Sequence, residues 1–355
     1  MKICLISHAV HPYSDTKPEY KHSSVNDVLF NLSYGFKSLR HDVFLILPKG
    51  SDSEFPAFIA DGEYQPNLGI KTKNKLSCTE TGSCLSSMMD YAFKKQSYFD
   101  IIVNLGHDWL PNYMVGKFTT PYISIPNLLR KNHPLENLIK LRASQYPKNI
   151  VFISYFQRNI LGNENNKVIY LPFDEKLFLP ANEKKEDCLF WAGRIIPEKG
   201  LENALIFSEK VNLPLLVAGE IQDNNYYEKL KKKYSFDYLG ILNKVDLYKT
   251  FSKAKAFLKL QKSKVSLETF GRVTAEAMLN GCPVIYTSNG SNKEIVELVN
   301  GGVEYNFRTD PKEVLAKIND IDIQLMQKKS KEKFSRKQIC AEYIKYFNDL
   351  LEFSS

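Results

Sequence analysis

The chain has little of what usually declares a function. Its six cysteines, at 4, 78, 84, 188, 282 and 340, form no Cys-x-x-Cys unit. No His cluster accompanies them, so a structural zinc site is not expected. Cys4, Cys188 and Cys282 lie in or beside apolar runs, where a reduced, buried thiol is the default, and this points to the cytoplasm. No stretch approaches about 18 apolar residues, so no membrane-spanning helix is expected. The opening "MKICLISHAV" has an apolar run too short for a signal peptide, and polar residues follow at once. The loop after it contains no Gly-x-Gly-x-x-Gly, which argues against a dinucleotide cofactor in this half. Acidic residues are slightly outnumbered: 48 Lys+Arg face 40 Asp+Glu, a net charge of +8. Such an excess suits phosphate-bearing ligands or an anionic membrane surface, and equally a protein that meets neither.

What is present is an alternation. "KICLIS" (2–7), "DVFLILP" (42–48), "DIIVNLG" (100–106), "YISIP" (122–126) and "NIVFIS" (149–154) read as strands apolar on both faces. Between them run helical stretches such as 24–40, where Val25, Val28, Leu29, Leu32, Phe36 and Leu39 share a stripe. The second half repeats the scheme with strands at 188–193, 213–219, 236–240, 255–260 and 283–287. Helices are expected near 199–210, 225–234, 244–253, 271–280 and 291–299. This is βαβ logic and predicts doubly wound parallel sheets. Domains are expected at 1–172 and 187–334, with a proline-containing, charged linker at 173–186. An amphipathic helix at 335–355 follows with no strand after it. Within the less regular stretch 50–90, the polar "TKNKLSCTETGSCLSS" (72–87) reads as a surface loop with one strand or helix turn. Two such domains face a cleft at the carboxyl ends of their strands, where ligands bind.

Three stretches carry chemistry. "FWAGRIIPEKG" (190–200) places Arg194 and Lys199 between a strand end and a helix start, where a diphosphate can be gripped. A solvated loop would show the same residues. "LETFGRVTAEAMLNGCPVI" (267–285) predicts a helix over 271–280, closed by Gly281 and Pro283. Glu268 then lies in the entry loop and Glu276 in the second turn. Glu276 can accept the hydroxyls of a ribose and Glu268 those of a second sugar; alternatively, Glu276 faces solvent and Glu268 serves the helix dipole. "NLGHDWLPNY" (104–113) puts His107 and Asp108 at a strand end, with Asp108 equally suited to cap the next helix. In the first loop His8, His11, Lys21, His22, Ser23 and Ser24 can line an acceptor site. A metal on His8, His11 and His22 is weakly supported, because no carboxylate completes a known spacing.

Together these stretches resemble the retaining GT-B glycosyltransferases of glycosyltransferase family 4, also called glycosyl transferases group 1. "ETFGRVTAE" (268–276) followed by "AMLNGCPVI" is similar to the family's Glu-x7-Glu motif, and "GRIIPEKG" (193–200) to its phosphate loop. "FISYFQRNIL" (152–161) and "VIYLPFDEKLFLP" (168–180) are similar to segments that close its first domain. The resemblance implies an α/β GT-B fold of two Rossmann-like domains, the first on the acceptor side and the second holding the nucleotide sugar. It implies that Arg194 and Lys199 hold the donor diphosphate and that Gly193 belongs to their loop. Glu276 would bind the ribose. Glu268, with the N–H groups of Phe270 and Gly271 beside Arg272, would hold the donor sugar. Gly240, Ile241 and Leu242 fall at the nucleobase loop. His107 would approach the transferred sugar, and the last helix would cross back to the first domain. The family's Gly-Gly pair is replaced by His22, Ser23 and Ser24, a weak acceptor-side set. Phe173 replaces its usual glycine before Asp174.

The expected activity is transfer of a sugar from a nucleotide donor, a UDP-sugar, to a glycan or lipid-linked acceptor in bacterial cell-surface polysaccharide or lipopolysaccharide synthesis. Neither metal nor cofactor is expected, and no nucleic acid partner. The protein is expected in the cytoplasm, with peripheral contact at the inner face of the membrane through residues such as Lys71, Lys73 and Lys75. Two alternatives stay open: a GT-B nucleotide-sugar-binding protein without catalysis, and a nucleotide-sugar epimerase on the same architecture.

Overall fold

The computed structural model describes residues 1–16, 24–64, 82–127, 133–181, 185–262 and 267–352. His22, Ser23, Lys21, Lys71, Lys73, Lys75 and Cys78 lie outside them. The chain divides into two compact units, Met1–Phe173 with Arg336–Ser355, and Asp174–Ser335. Both are α/β, each built on one parallel sheet.

In the first unit, β1 (Lys2–Ile6), β2 (Asp42–Pro48), β3 (Ala57–Ala60), β4 (Ile101–Asn104) and β5 (Tyr122–Ser124) lie in the order β3-β2-β1-β4-β5. All four pairings are parallel. Ile3 to Ile6 and Ile101 to Asn104 are buried throughout, as strands covered on both faces must be. The strand order reverses between β1 and β4, which makes their carboxyl ends a switch point. Helix α1 (Ser24–Ser38) buries Val28, Leu29, Leu32 and Phe36. Helix α2 (Cys84–Lys94), its first turn capped by Ser83, begins inside the stretch 72–87 expected as a loop, of which residues 72–81 lie outside the described residues. Helices α3 (Trp109–Tyr113) and α4 (Pro134–Gln145) follow.

The strand expected at "NIVFIS" is present as β6 (Val151–Phe152), which pairs with β7 (Lys167–Val168) and meets β5 through a parallel Ser124–Ile150 bridge. Ser154 ends the strand by capping α5 (Tyr155–Leu161), its hydroxyl accepting from the Gln157 N–H.

The second unit runs β8 (Glu186–Ala192), α6 (Leu201–Val211), β9 (Leu215–Ala218), α7 (Asn224–Lys233), β10 (Asp237–Tyr238), α8 (Lys244–Lys253) and β11 (Ala254–Lys259). It continues through α9 (Arg272–Leu279), β12 (Val284–Tyr286), α10 (Asn292–Leu298), β13 (Gly302–Glu304), α11 (Pro311–Ile318) and α12 (Ile323–Phe334). The sheet order is β10-β9-β8-β11-β12-β13, with its reversal between β8 and β11. Trp191, Phe207, Leu215, Val217, Leu258 and Ile285 form part of one continuous core on this sheet.

The chain then returns to the first unit with α13 (Arg336–Glu352). Its Tyr343 and Phe347 pack on Phe36 of α1, ring centroids 6.3 and 5.7 Å away. The Arg336 N–H donates to the Phe173 carbonyl at 2.7 Å, tying the first unit's exit to its re-entry. Among the described residues, no helix is long and apolar enough to cross a membrane. Cys4, Cys84, Cys188, Cys282 and Cys340 are buried.

Candidate active site

The carboxyl ends of β8, β9 and β10 are tied together by backbone bonds, with the Tyr238 hydroxyl donating to the Gly219 carbonyl at 2.8 Å. The Gly193 N–H donates to Ala218 O at 3.0 Å, and the Gly219 N–H to Gly240 O at 2.8 Å. Gly219 has φ 137°, and a Cβ there would sit 1.9 Å from Gly193 O. Only glycine permits this approach. The loop holding Arg194 and Lys199 is thereby fixed at its start.

Glu268 is the centre of a charge cluster. Its Oε1 receives the Lys199 ammonium from that loop and, at 3.3 Å, the ammonium of Lys259 at the end of β11. Burial would raise the Glu268 carboxyl, but Lys259 and Lys199 outweigh it and hold the group well below the usual carboxylate range. Lys259 is lowered as well, which for a lysine works against its charge. Burial lowers it, Glu268 opposes that, and Lys199 and Arg194 depress it further. Arg194 is exposed, and its guanidinium also donates to Gln222 Oε1 at 3.4 Å. Glu268's backbone is clamped too. The Ser291 N–H and hydroxyl both donate to its carbonyl, at 2.8 and 3.2 Å.

Glu276 is buried in α9 at 2% exposure, so the solvent-facing alternative is ruled out. Lys244 pairs with its Oε1, the Tyr248 hydroxyl donates at 3.4 Å, and Arg272 lies 3.9 Å away one turn back. Gly271 is the N-cap of α9, with φ 75° and no side-chain cap. Phe270 is buried and set edge-on against Phe334 at 5.7 Å. Leu242 is half-buried beside Ile241, which is 64% exposed.

The structure therefore brings Gly193, Arg194, Lys199, Glu268, Phe270, Gly271, Arg272, Glu276 and Leu242 to the carboxyl edge of one sheet. It adds two residues that the sequence reading missed. Lys259 ends a strand whose other residues, Lys255 apart, are apolar. Lys244 is the first residue of α8, where a cation opposes the helix dipole. That unfavourable placement was the available signal.

In the first unit, His107 stands in the loop after β4. Asn104 shapes that loop, accepting from the Gly106 N–H and donating to the Gly106 carbonyl, both at 2.9 Å. Asp108 accepts from the Trp109 N–H at 2.6 Å and caps α3. His8 is buried after β1, with its Nδ1 accepting from the Val10 N–H at 3.1 Å. Burial, then the neighbouring His11 ring, push its pKa down to about 3, so it is neutral at physiological pH. Ser24 opens α1.

Residues 173–337 match the family model described as glycosyl transferases group 1. The chain is a glycosyltransferase. No curated relative matches it. Among solved structures, AviGT4, a glycosyltransferase involved in avilamycin A biosynthesis, superposes with a TM-score of 0.72 at 19% identity, over 99% of this chain and 98% of that one. Sucrose-phosphate synthase from Thermosynechococcus elongatus gives 0.71 at 16%, over 99% and 100%. Anabaena Alr3699/HepE in complex with UDP gives 0.68 at 16%, over 98% and 100%. Likeness at this identity establishes the fold, which is GT-B.

Proposed function

We propose that the glycosyltransferase is a retaining, metal-independent member of family 4. It moves a sugar from a nucleotide-sugar donor to a glycan or lipid-linked acceptor in bacterial cell-surface polysaccharide or lipopolysaccharide synthesis. The observation that carries the reading is the pair of carboxylates at one sheet edge, each held in place by lysine ammonium, with Arg194 near enough to Lys259 to act on its charge. Anabaena Alr3699/HepE has been solved with UDP-glucose, and a UDP-sugar is the donor we assign here.

Breaking the bond between the anomeric carbon and the diphosphate leaves the electron pair on a phosphate oxygen and oxocarbenium character on the sugar. Arg194 and Lys199 are the cations placed to stabilise that oxygen, so the protein's own residues supply the charge neutralisation. Glu276 takes the ribose hydroxyls and Glu268 those of the donor sugar. The acceptor hydroxyl then attacks on the face the phosphate leaves, and its proton passes to the phosphate oxygen. We assign the acceptor to the first unit, with Ser24 among its residues, and His107 to the approach on the transferred sugar. The site of action is cytoplasmic, at the inner face of the membrane when the acceptor is lipid-linked.

The test is nucleotide release from UDP-sugars in the presence of candidate acceptors. Glu276→Ala and Lys199→Ala are each expected to lower turnover by at least about a hundredfold, the scale of losing one charge-stabilising group. Near-normal turnover in both variants would sink the assignment.

A further inference from the structure

One carboxylate needs one counter-ion, yet Glu268 Oε1 has two. The lysines that supply them are not equivalent. Lys259 is 6% exposed and belongs to the sheet: it pairs with Tyr286 of β12, and its carbonyl accepts from the Thr287 N–H at 3.1 Å. Its backbone cannot move without the strand. Lys199 is the last residue of a single 3-10 turn in a surface loop and is half-buried. The residue suited to grip a diphosphate is thus already engaged by an acid, while a second cation stands beneath that acid.

We propose that Lys259 is a positioning residue: a fixed counter-ion that keeps Glu268 neutralised while Lys199 transfers from Glu268 to the donor's diphosphate. This rests on the reading that the site takes a nucleoside diphosphate sugar. The physical reason is the cost of the transfer. A partly buried carboxylate stripped of its only ammonium loses several kcal/mol. With Lys259 at 3.3 Å, Glu268 stays paired after Lys199 leaves. Without Lys259, Lys199 is held where it is and the diphosphate must compete with Glu268 for it. Burial works to remove the Lys259 proton and Glu268 works to keep it, so each residue maintains the other's charge.

The experiment is calorimetric titration of the full chain with UDP and with uridine, and of the wild type also with GDP and ADP. The variants are Lys259→Met, Lys259→Arg, Glu268→Gln and the double Lys259→Met/Glu268→Gln. Lys259→Met is expected to weaken UDP binding at least tenfold and to leave uridine binding within twofold, with Lys259→Arg recovering most of the UDP loss. In the Glu268→Gln background Lys199 has no carboxylate to leave, so adding Lys259→Met should change UDP affinity by less than threefold. The double variant also removes both charges of the pair, which protects the test against a fold failure of the single one. Equal losses for UDP and uridine would make Lys259 merely structural and overturn the proposal. A tenfold loss persisting in the double variant would show that Lys259 acts on the phosphate through space, and would overturn it too. A wild-type chain that binds no nucleoside diphosphate, UDP, GDP or ADP, removes the underlying reading itself. That result is distinct from a wild type that binds UDP while its Lys259 variants do not differ.

Discussion

Glu268 and Glu276 are both removed from solvent, and both are answered by lysines from elsewhere in the second unit. Buried ion pairs of this kind add little to stability alone, since an apolar pair of the same shape serves as well. Their retention at a strand-end cleft therefore argues for ligand chemistry. Glu268 makes a prediction about pH. Its folded-state pKa lies below the unfolded value of about 4.3. Its contribution is thus fully present above that unfolded value and is lost as pH falls toward the folded one. Glu268→Gln should cost roughly 3 kcal/mol at pH 7, the scale of breaking a buried pair. The gap between wild type and variant should narrow as pH falls from about 5 to about 3. Urea unfolding across that range measures it, and a gap independent of pH would show that Glu268 is not held as an anion. At this scale the sequence was legible where residues share one short stretch. Arg194 and Lys199 stand in "GRIIPEKG", Glu268 and Glu276 in "ETFGRVTAE". Lys259 was hidden because a lysine closing an apolar strand reads as a solvated end, and its role depends on a carboxylate nine residues on.

Among elements, the loop between β12 and α10 holds the site from behind. Gly290 has φ 65°, and a Cβ there would lie 2.1 Å from the Glu268 carbonyl oxygen and 2.6 Å from its nitrogen. Gly290→Ala must therefore move backbone, and the backbone it moves carries Glu268. A left-handed alanine costs on the order of 1–3 kcal/mol, and a displacement near 1 Å at a reacting site costs about a hundredfold in rate. Gly82→Ala is the control: Gly82 has φ 89° but open space around its Cβ. It should lose stability from strain and keep turnover within about twofold, whereas Gly290→Ala should lose both. Equal turnover in the two variants would detach this loop from Glu268. The same elements explain what sequence reading reached. Long apolar strands such as β1, β2 and β8 declare themselves, because both their faces are covered. β3, β7 and β13 did not, being two to four residues long and partly exposed. Their place comes from the neighbouring strand they pair with, and a local pattern does not contain it.

For the whole molecule, the division into two units has a thermodynamic consequence. The residues assigned to the donor all belong to Asp174–Ser335, a unit with its own core. A ligand that binds only the folded form adds about 2.7 kcal/mol when present at 100 times its Kd. That stabilisation acts on the unit that binds, and two units need not unfold together. Hydrogen exchange of the full chain with and without saturating UDP should therefore show protection in 193–200, 219–222, 240–244 and 267–276. The sheet of β1 to β5 should change much less. The strongest effect is expected at Gly219 and Gly193, whose N–H groups already bond across the strand ends and open only when those ends separate. Protection spread evenly over both units would mean that binding and unfolding are coupled through the entire chain. Protection confined to the first unit would place the nucleotide on the wrong sheet and overturn the assignment of Glu268, Glu276 and Lys199 together.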